Sequence, residues 1–600
     1  MSDTVRSLQP AALWNHFEDI NAIPRPSKKE ERIIAFMKAF GEGLGLKTVV
    51  DSIGNVIIYK PATTGMEDRK TVVLQSHLDM VHQKNADTNF DFSTQGIKSY
   101  IDGEWVKAKG TTLGADNGIG VASIMSLLTA TDIPHPALEA LFTIDEETGM
   151  TGAFKLDKGS LEGKILLNLD TEDDDEFSIG CAGGIDTNTM YNYTSENTPA
   201  GAIAYQITVN GLKGGHSGVD IHLERGNANK IMNRMMYQCE KFGLQIVTID
   251  GGSLRNAIPR ESFATIIVTD ESYVTEFNNR AEAIKNEYAL QDEGLNIVIS
   301  KTDLPTAVLN KSDTQKITTA IQSVHNGVFC MSSAIPGLVE TSSSFARVSI
   351  KDGKFITQSL QRSSVESAKY NVAYTVGAPL KLMGCEVEHT GAYPGWAPNP
   401  DSAILKLMEN KYAELFGEKP HVMAIHAGLE CGILGERYHG MDMISFGPTI
   451  KHPHSPDEKV NINSVQKFWK FLLEILKDIP KKLMSPFSVA KLWLQAFNEH
   501  NLDALLNLYD DNAQHFSPKL KQRQPETNGL IIGKAAMRLW WQDAFERLPH
   551  LQYREERITA NDNCAFMEYT RIVGSEPDMA VAEILEVKNG KIIASRVYHG

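Results

Sequence analysis

The stretch VVLQSHLDMVHQ (Val72 to Gln83) runs apolar and strand-like to Ser76, then sets His77 and Asp79 two residues apart where a buried strand should stop. Taken alone, a histidine at such a place is a capping or surface residue. Similar residues recur at other predicted strand ends: Asp145, Glu146 and Glu147 after LEALFTI, Asp170 after ILLNL, and His454 after MDMISFGPTIKHP. Asp116 lies in the turn GADNGIG, ahead of a helix. Ligands of open α/β sheets gather at the carboxyl ends of strands, so these side chains are placed to converge. Two imidazoles with several carboxylates and no cysteine suit zinc, manganese or cobalt. One catalytic zinc needs three protein ligands and a water; here the donors suffice for two ions sharing a carboxylate. Such a pair, about 3.5–4 Å apart, activates a water and polarises a carbonyl, which is the chemistry of amide or ester hydrolysis.

The elements that must position these residues read as alternating helix and strand from about residue 10 to 185. PSKKEERIIAFMKAFGEGLGL has Ser27 and Glu30 in capping-box spacing before an amphipathic helix closed by glycines. The apolar strands that follow are separated by helices, so a three-layer α/β core with a largely parallel sheet is expected. After IGCAGGID the texture changes to that of an inserted α+β domain, and from about residue 400 the first texture resumes. KDIPKKLMSP is a Pro- and Lys-punctuated boundary. The expected domains are a catalytic core at 1–186 and 397–484, an insertion at 187–396 and a separate α+β module at 487–600. In the last, Asn589-Gly590 predicts a type I′ hairpin turn. The acidic run from Glu172 to Glu176 reads as a solvated loop.

At 600 residues the chain is too long for one core. Its net charge of −16 argues against nucleic acid as the main partner. The six cysteines have no C-x-x-C spacing and read as reduced thiols. Neither a signal peptide nor a membrane span is visible, so no membrane partner is expected and the cytoplasm is the default.

The motifs SHLDMV, GTTLGADNGIG, DEETGM, NLDTED, GLKGGHSG, LRNAIPRE, GAYPGW, HAGLECG and GPTIKHPHSPDE closely resemble the metallopeptidase M20 family, in order from about residue 10 to 482. That resemblance implies a zinc-exopeptidase-like core with an inserted lid, a homodimer, and hydrolysis of unblocked dipeptides, Xaa-His among them. It implies that His77 and Asp170 bind one divalent ion, Glu147 and His454 the other, and that Asp116 bridges them. Zinc is the expected metal, with manganese and cobalt as alternatives. Asp79 would orient His77 through a hydrogen bond, and Glu146 would be the general base, its side chain diverging from that of Glu147 because the segment is not helical. His216 in GGHSG would hold the scissile carbonyl oxygen; GGHSG is no phosphate loop, since it lacks the G-K-[ST] ending. Asn256 and Arg362 resemble lid residues that bind the substrate carboxylate. His426 and Glu430 are pocket or structural residues. One departure is Ser344, where the family commonly has Asn.

The module from 487 to 600 resembles SnoaL-like (nuclear-transport-factor-2-like) domains, cone-shaped α+β folds that can enclose a pocket. Trp540, Trp541, Tyr569 and Tyr598 are candidate lining residues, and His515, Glu583 and His599 are candidate catalytic residues if the module is a cyclase or isomerase; a binding or dimerising module is the preferred reading, its ligand unknown. Rival readings are an N-acyl amino acid deacylase using the same metals, and a scaffold in which this module binds a small ligand.

Overall fold

The computed structural model describes residues 4–599, which divide into two compact units, 4–479 and 480–599. In the first unit, an eight-stranded sheet runs in the order Lys47–Val50, Val56–Lys60, Leu138–Thr143, Val72–His77, Ile165–Asn168, Asp442–Ser445, Glu176–Cys181, His421–Ile425. Leu138–Thr143, Val72–His77, Ile165–Asn168 and Asp442–Ser445 are mutually parallel, so their carboxyl ends share one edge.

Val72–His77 is buried along its whole length. Its alternate side chains feed two cores: Val72 and Leu74 enter one, Val73 the other. The larger core takes the helices Ala11–Asn21, Ala115–Thr129, Ala403–Phe416 and Ile462–Asp478; the smaller takes Thr151–Lys155 and Glu430–Arg437. Helices therefore cover both faces of the sheet, the three-layer arrangement that its apolar strands require. Each such buried side chain contributes about 1.5–3 kcal/mol, which makes the strand ends a stiff platform.

The helix after PSKK spans Glu31–Gly43, but the capping-box reading is overturned: no side chain caps it. Ser27 Oγ instead donates to Asp79 Oδ2 at 2.8 Å, and Glu30 Oε1 accepts from the Lys28 and Asp145 amides at 2.8 and 3.2 Å. The Asp79 carboxylate takes the Ser27 hydroxyl, and two loop amides take the Glu30 carboxylate, in place of the helix end.

A nine-stranded sheet occupies the middle of the chain, from Gly183–Asn192 to Glu386–Tyr393. One core joins it to helices Ala228–Met236, Tyr273–Glu287, Lys311–Ser323 and Glu366–Met383.

The second unit is a six-stranded sheet, ordered Leu530–Ile532, Tyr509–Phe516, Lys591–His599, Met579–Lys588, Cys564–Ile572, Gln552–Ala560, with helices Pro486–Asn498 and Lys534–Arg547 against it. Asn589 and Gly590 both take positive φ, 52° and 73°, as a type I′ turn requires. Trp540, Trp541, Tyr569, His515, Glu583 and His599 line one cavity. Tyr598 does not: the strand alternates, so Val597 and His599 face in while Tyr598 is 47% exposed. No helix among the described residues is long and apolar enough to cross a membrane.

Candidate active site

At the carboxyl edge of the parallel strands, Asp116 stands between two histidines. Its Oδ1 lies 3.1 Å from His77 Nε2 and its Oδ2 lies 3.1 Å from His454 Nε2. Asp170 Oδ1 is 3.5 Å from His77 Nε2, and Glu147 Oε2 is 3.0 Å from His454 Nε2. Donor atoms of His77, Asp116 and Asp170 all fall within 4.8 Å of one another, and so do those of Asp116, Glu147 and His454. The two triads share one carboxylate, with one oxygen turned to each.

The electrostatics match a cation site. Hydrogen bonds to Asp116 and Glu147 push His454 up to about 11. His77 is driven well above its ordinary value even though burial opposes it, because Asp170, Asp116 and Asp79 outweigh the burial. Burial, offset in part by His77, lifts Asp170 to about 6. Glu147 Oε1 is buried and has no hydrogen-bond partner among the described residues. An orphaned carboxylate oxygen within nitrogen- and oxygen-only triads fits divalent ions such as zinc, manganese or cobalt.

Glu146 and Glu147 do not lie in extended chain. They open a helical turn, Glu146–Gly149, entered through Asp145 at φ 51°. Asp79 sets this turn: its Oδ1 accepts the Glu146 amide at 3.0 Å and its Oδ2 the Glu147 amide at 3.2 Å. Successive helical side chains diverge by roughly 100°. Glu146 still has an oxygen within 4.8 Å of donor atoms of both His77 and Glu147. Burial, with Asp170, Glu430 and Glu147 near, pushes its carboxyl well above the usual range.

Asp79 faces His77 as well: its carbonyl oxygen lies 3.1 Å and its Oδ1 3.3 Å from Nδ1. Burial pushes Asp79 upward, but the bonds from His77, the Glu146 amide and Ser27 win and hold it below the usual carboxylate range.

A second polar group lies in the middle segment. His216 Nδ1 accepts the Gly218 and Val219 amides at 3.2 and 3.0 Å, which leaves the proton on Nε2. Arg362 Nη2 is 3.4 Å from that Nε2, so two donors converge with no acceptor between them. Arg362 is buried and also donates to Tyr393 Oη at 2.7 Å. A Cβ at Gly218 would strike the His426 carbonyl and Arg362, so this packing requires glycine. His426 is buried, 2.7 Å from Ser342 Oγ, and burial lowers it to about 3. Asn256 precedes the strand partner of His216 and is exposed. Ser344 is buried, its hydroxyl without a partner among the described residues. Among those residues no hydrogen bond or ion pair joins the His216–Arg362 group to the two triads.

Residues 73–478 match the model of peptidase family M20/M25/M40, and residues 490–595 match a SnoaL-like domain. The chain belongs to peptidase family M20/M25/M40.

This M20 chain is 44% identical to the cytosol non-specific dipeptidase of Escherichia coli strain K12 over 479 residues, which is 79% of this chain and 99% of the relative. It is 46% identical to the aminoacylhistidine dipeptidase of Vibrio alginolyticus, whose crystal structure matches with a TM-score of 0.76 over 80% of this chain and 99% of that one.

Several residues that brace this peptidase site went unread in the sequence. Arg25 is buried and donates to the carbonyls of Leu78, Asp79 and Gly114, tying the His77 loop to the Asp116 loop. Glu458 accepts the amides of Leu113, Gly114, Ala115 and Asp116 at 2.7–3.3 Å, clasping the loop from the other side. Its position four residues past His454 was the available signal. Asn117 Nδ2 donates to the Leu169 carbonyl at 2.6 Å, joining that loop to the strand end that carries Asp170. Glu430, which the sequence marks as a pocket or structural residue, accepts from Gln75 and Thr143 beneath the site at 2.6 and 2.7 Å.

The solvated-loop reading of the acidic run fails as well. Glu172 is half-buried, and burial beside Asp116 and Asp170 raises it to about 8; Asp174 pairs with Lys467 at 2.8 Å. Lys467 and Lys451, which pair with Asp174 and Asp173, draw the run in.

Proposed function

We propose that this chain is a two-metal dipeptidase that hydrolyses unblocked dipeptides, Xaa-His among them. The observation that carries the reading is the carboxylate of Asp116, one oxygen facing each triad. The names of its two close relatives, a non-specific dipeptidase and an aminoacylhistidine dipeptidase, support the substrate class.

His77 and Asp170 would hold one ion, Glu147 and His454 the other, with Asp116 shared. Two divalent ions there supply Lewis acidity toward the scissile carbonyl and a lowered pKa for the attacking water. Asp79 fixes the His77 tautomer by facing Nδ1 and presenting Nε2 to the cluster. It holds the Glu146 backbone through the same carboxylate, so one residue aligns a ligand and the base. Glu146 takes the proton of the attacking water at its carboxylate and passes it to the leaving amine.

His216 and Arg362 present converging donors, which suits a substrate carbonyl oxygen at Nε2–H and a carboxylate at the guanidinium. Asn256 would add a contact to the substrate carboxylate. Residues 187–396 act as a lid over a core formed by 1–186 and 397–484, and closure brings this group to the metals and limits the substrate to short peptides. The peptidase works as a cytoplasmic homodimer with zinc as its native metal, and 487–600 forms a separate module.

The test is hydrolysis by the full-length protein of an Xaa-His dipeptide, an apolar dipeptide, a tripeptide and an N-acetyl amino acid, with zinc, manganese, cobalt or chelator. Chelator-sensitive cleavage confined to the free dipeptides is expected. Cleavage of the N-acetyl amino acid alone would replace the reading with a deacylase.

A further inference from the structure

The second unit holds a cavity of about 110 Å³, walled by Trp493, Phe497, Trp541, Tyr553 and Tyr569. That is smaller than the apolar cavity of about 150 Å³ that accepts benzene, so it has room for one small ring at most, with any substituent reaching the mouth. Two polar groups reach its interior, and the direction of each hydrogen bond can be worked out.

An indole nitrogen only donates. Trp493 Nε1 donates to Tyr509 Oη at 2.9 Å, and Tyr509 donates in turn to Ser595 Oγ at 3.2 Å. The Ser595 hydroxyl then gives its hydrogen to His515 Nδ1 at 2.7 Å. The chain runs one way and leaves the His515 proton on Nε2, as a donor. Burial keeps this imidazole neutral by lowering it to about 4.

The other group is Glu583, fully buried. Tyr569 Oη donates to its Oε2 at 2.9 Å, while Oε1 is buried without a partner among the described residues. Burial raises the carboxyl to about 8, so at neutral pH it keeps a proton, which sits on the oxygen that Tyr569 does not occupy. The cavity thus offers two neutral donors, which a ligand must match with an acceptor because a buried donor left unpaired is unfavourable.

The rim is cationic, in a chain whose net charge is −16. Lys519, Arg523, Arg547 and Arg571 line the opening against Glu576, which Arg571 engages at 2.8 Å. Among the described residues Lys519 and Arg523 hold no ion pair.

We propose that this cavity binds a small single-ring organic acid: the ring packs against Trp541, Tyr553 and Tyr569, a carbonyl oxygen on the ring accepts from His515 and Glu583, and the anionic group lies on Lys519 and Arg523. The cavity serves as a binding site, separate from peptide hydrolysis.

Calorimetry on the full-length protein with 4-acetylbenzoate, benzoate and acetophenone tests this, since the first probe carries both features and each of the others lacks one. The expected order is 4-acetylbenzoate tightest, with each of the others weaker by about tenfold or more: acetophenone loses the charge-assisted contact to the rim, and benzoate leaves the two neutral donors unmatched. Lys519→Glu with Arg523→Glu, both at the rim and so compatible with folding, should weaken the two anions about tenfold or more and leave acetophenone unchanged. Glu583→Leu should weaken the two ketones and spare benzoate. Dipeptide hydrolysis should be the same in all these variants. No binding of any probe at millimolar concentration, or 4-acetylbenzoate binding that ignores the rim substitutions, would overturn the proposal.

Discussion

Asp79 and Glu583 are both carboxylates in the dry interior, one in each unit, and they are treated in opposite ways. Asp79 receives the amides of Glu146 and Glu147, the Ser27 hydroxyl and the His77 ring, and is held ionised. Glu583 receives one tyrosine hydroxyl and keeps its proton. Donors together with the neighbouring His77 ring keep Asp79 as a fixed negative charge, whereas Glu583, with one neutral donor and no cation beside it, serves as a hydrogen-bond donor. In the first unit that choice builds a cluster able to hold cations; in the second it builds a neutral pocket with a cationic rim.

The largest effect that sharpens this contrast is at Glu146, the proposed base. Glu146→Gln should lower kcat by roughly 10²–10⁴-fold while metal content and fold are retained, measured by single-turnover hydrolysis and metal analysis. Next comes the clasp on the Asp116 loop. Glu458→Gln should weaken metal affinity by roughly 10–100-fold in a chelator competition, because an amide cannot accept four backbone N–H groups as a carboxylate does.

The same isosteric change then compares the two acids directly. Asp79→Asn should destabilise the first unit by about 2 kcal/mol or more, since charge-assisted bonds are lost. Glu583→Gln should be close to neutral at pH 7. Its difference from wild type should depend on pH, with the sign fixed by linkage. A folded value of about 8 against an ordinary 4.5 means the folded state binds the extra proton. Wild-type stability therefore falls as pH rises from about 4.5 to 8, and Glu583→Gln should flatten that slope in thermal melts of the second unit. The smallest effect is Ser27→Ala, a loss of about 1–2 kcal/mol with a modest fall in kcat, read from denaturant midpoints and initial rates.

The residues legible in the sequence were those whose place follows from topology. His77, Asp145 to Glu147 and Asp170 follow apolar strands, and parallel strands bring such ends to one edge whatever their order. Braces carry no such marker. Arg25 sits in PRPSKK like any surface arginine, and only the folded chain shows it reaching carbonyls 53, 54 and 89 residues away. Ser27 and Glu30 misled because their spacing satisfies a helix cap, while nearby buried groups bind them more strongly. Tyr598 was an error of period: a strand alternates, and the inward positions are Val597 and His599.

The most direct test of the central claim is to titrate zinc into metal-free full-length protein while recording bound ions per chain and hydrolysis of an Xaa-His dipeptide. The account predicts that full activity arrives with two ions per chain and that Asp116→Asn impairs the binding of both. Full activity at one ion per chain, or undiminished hydrolysis in the metal-free protein, would contradict it.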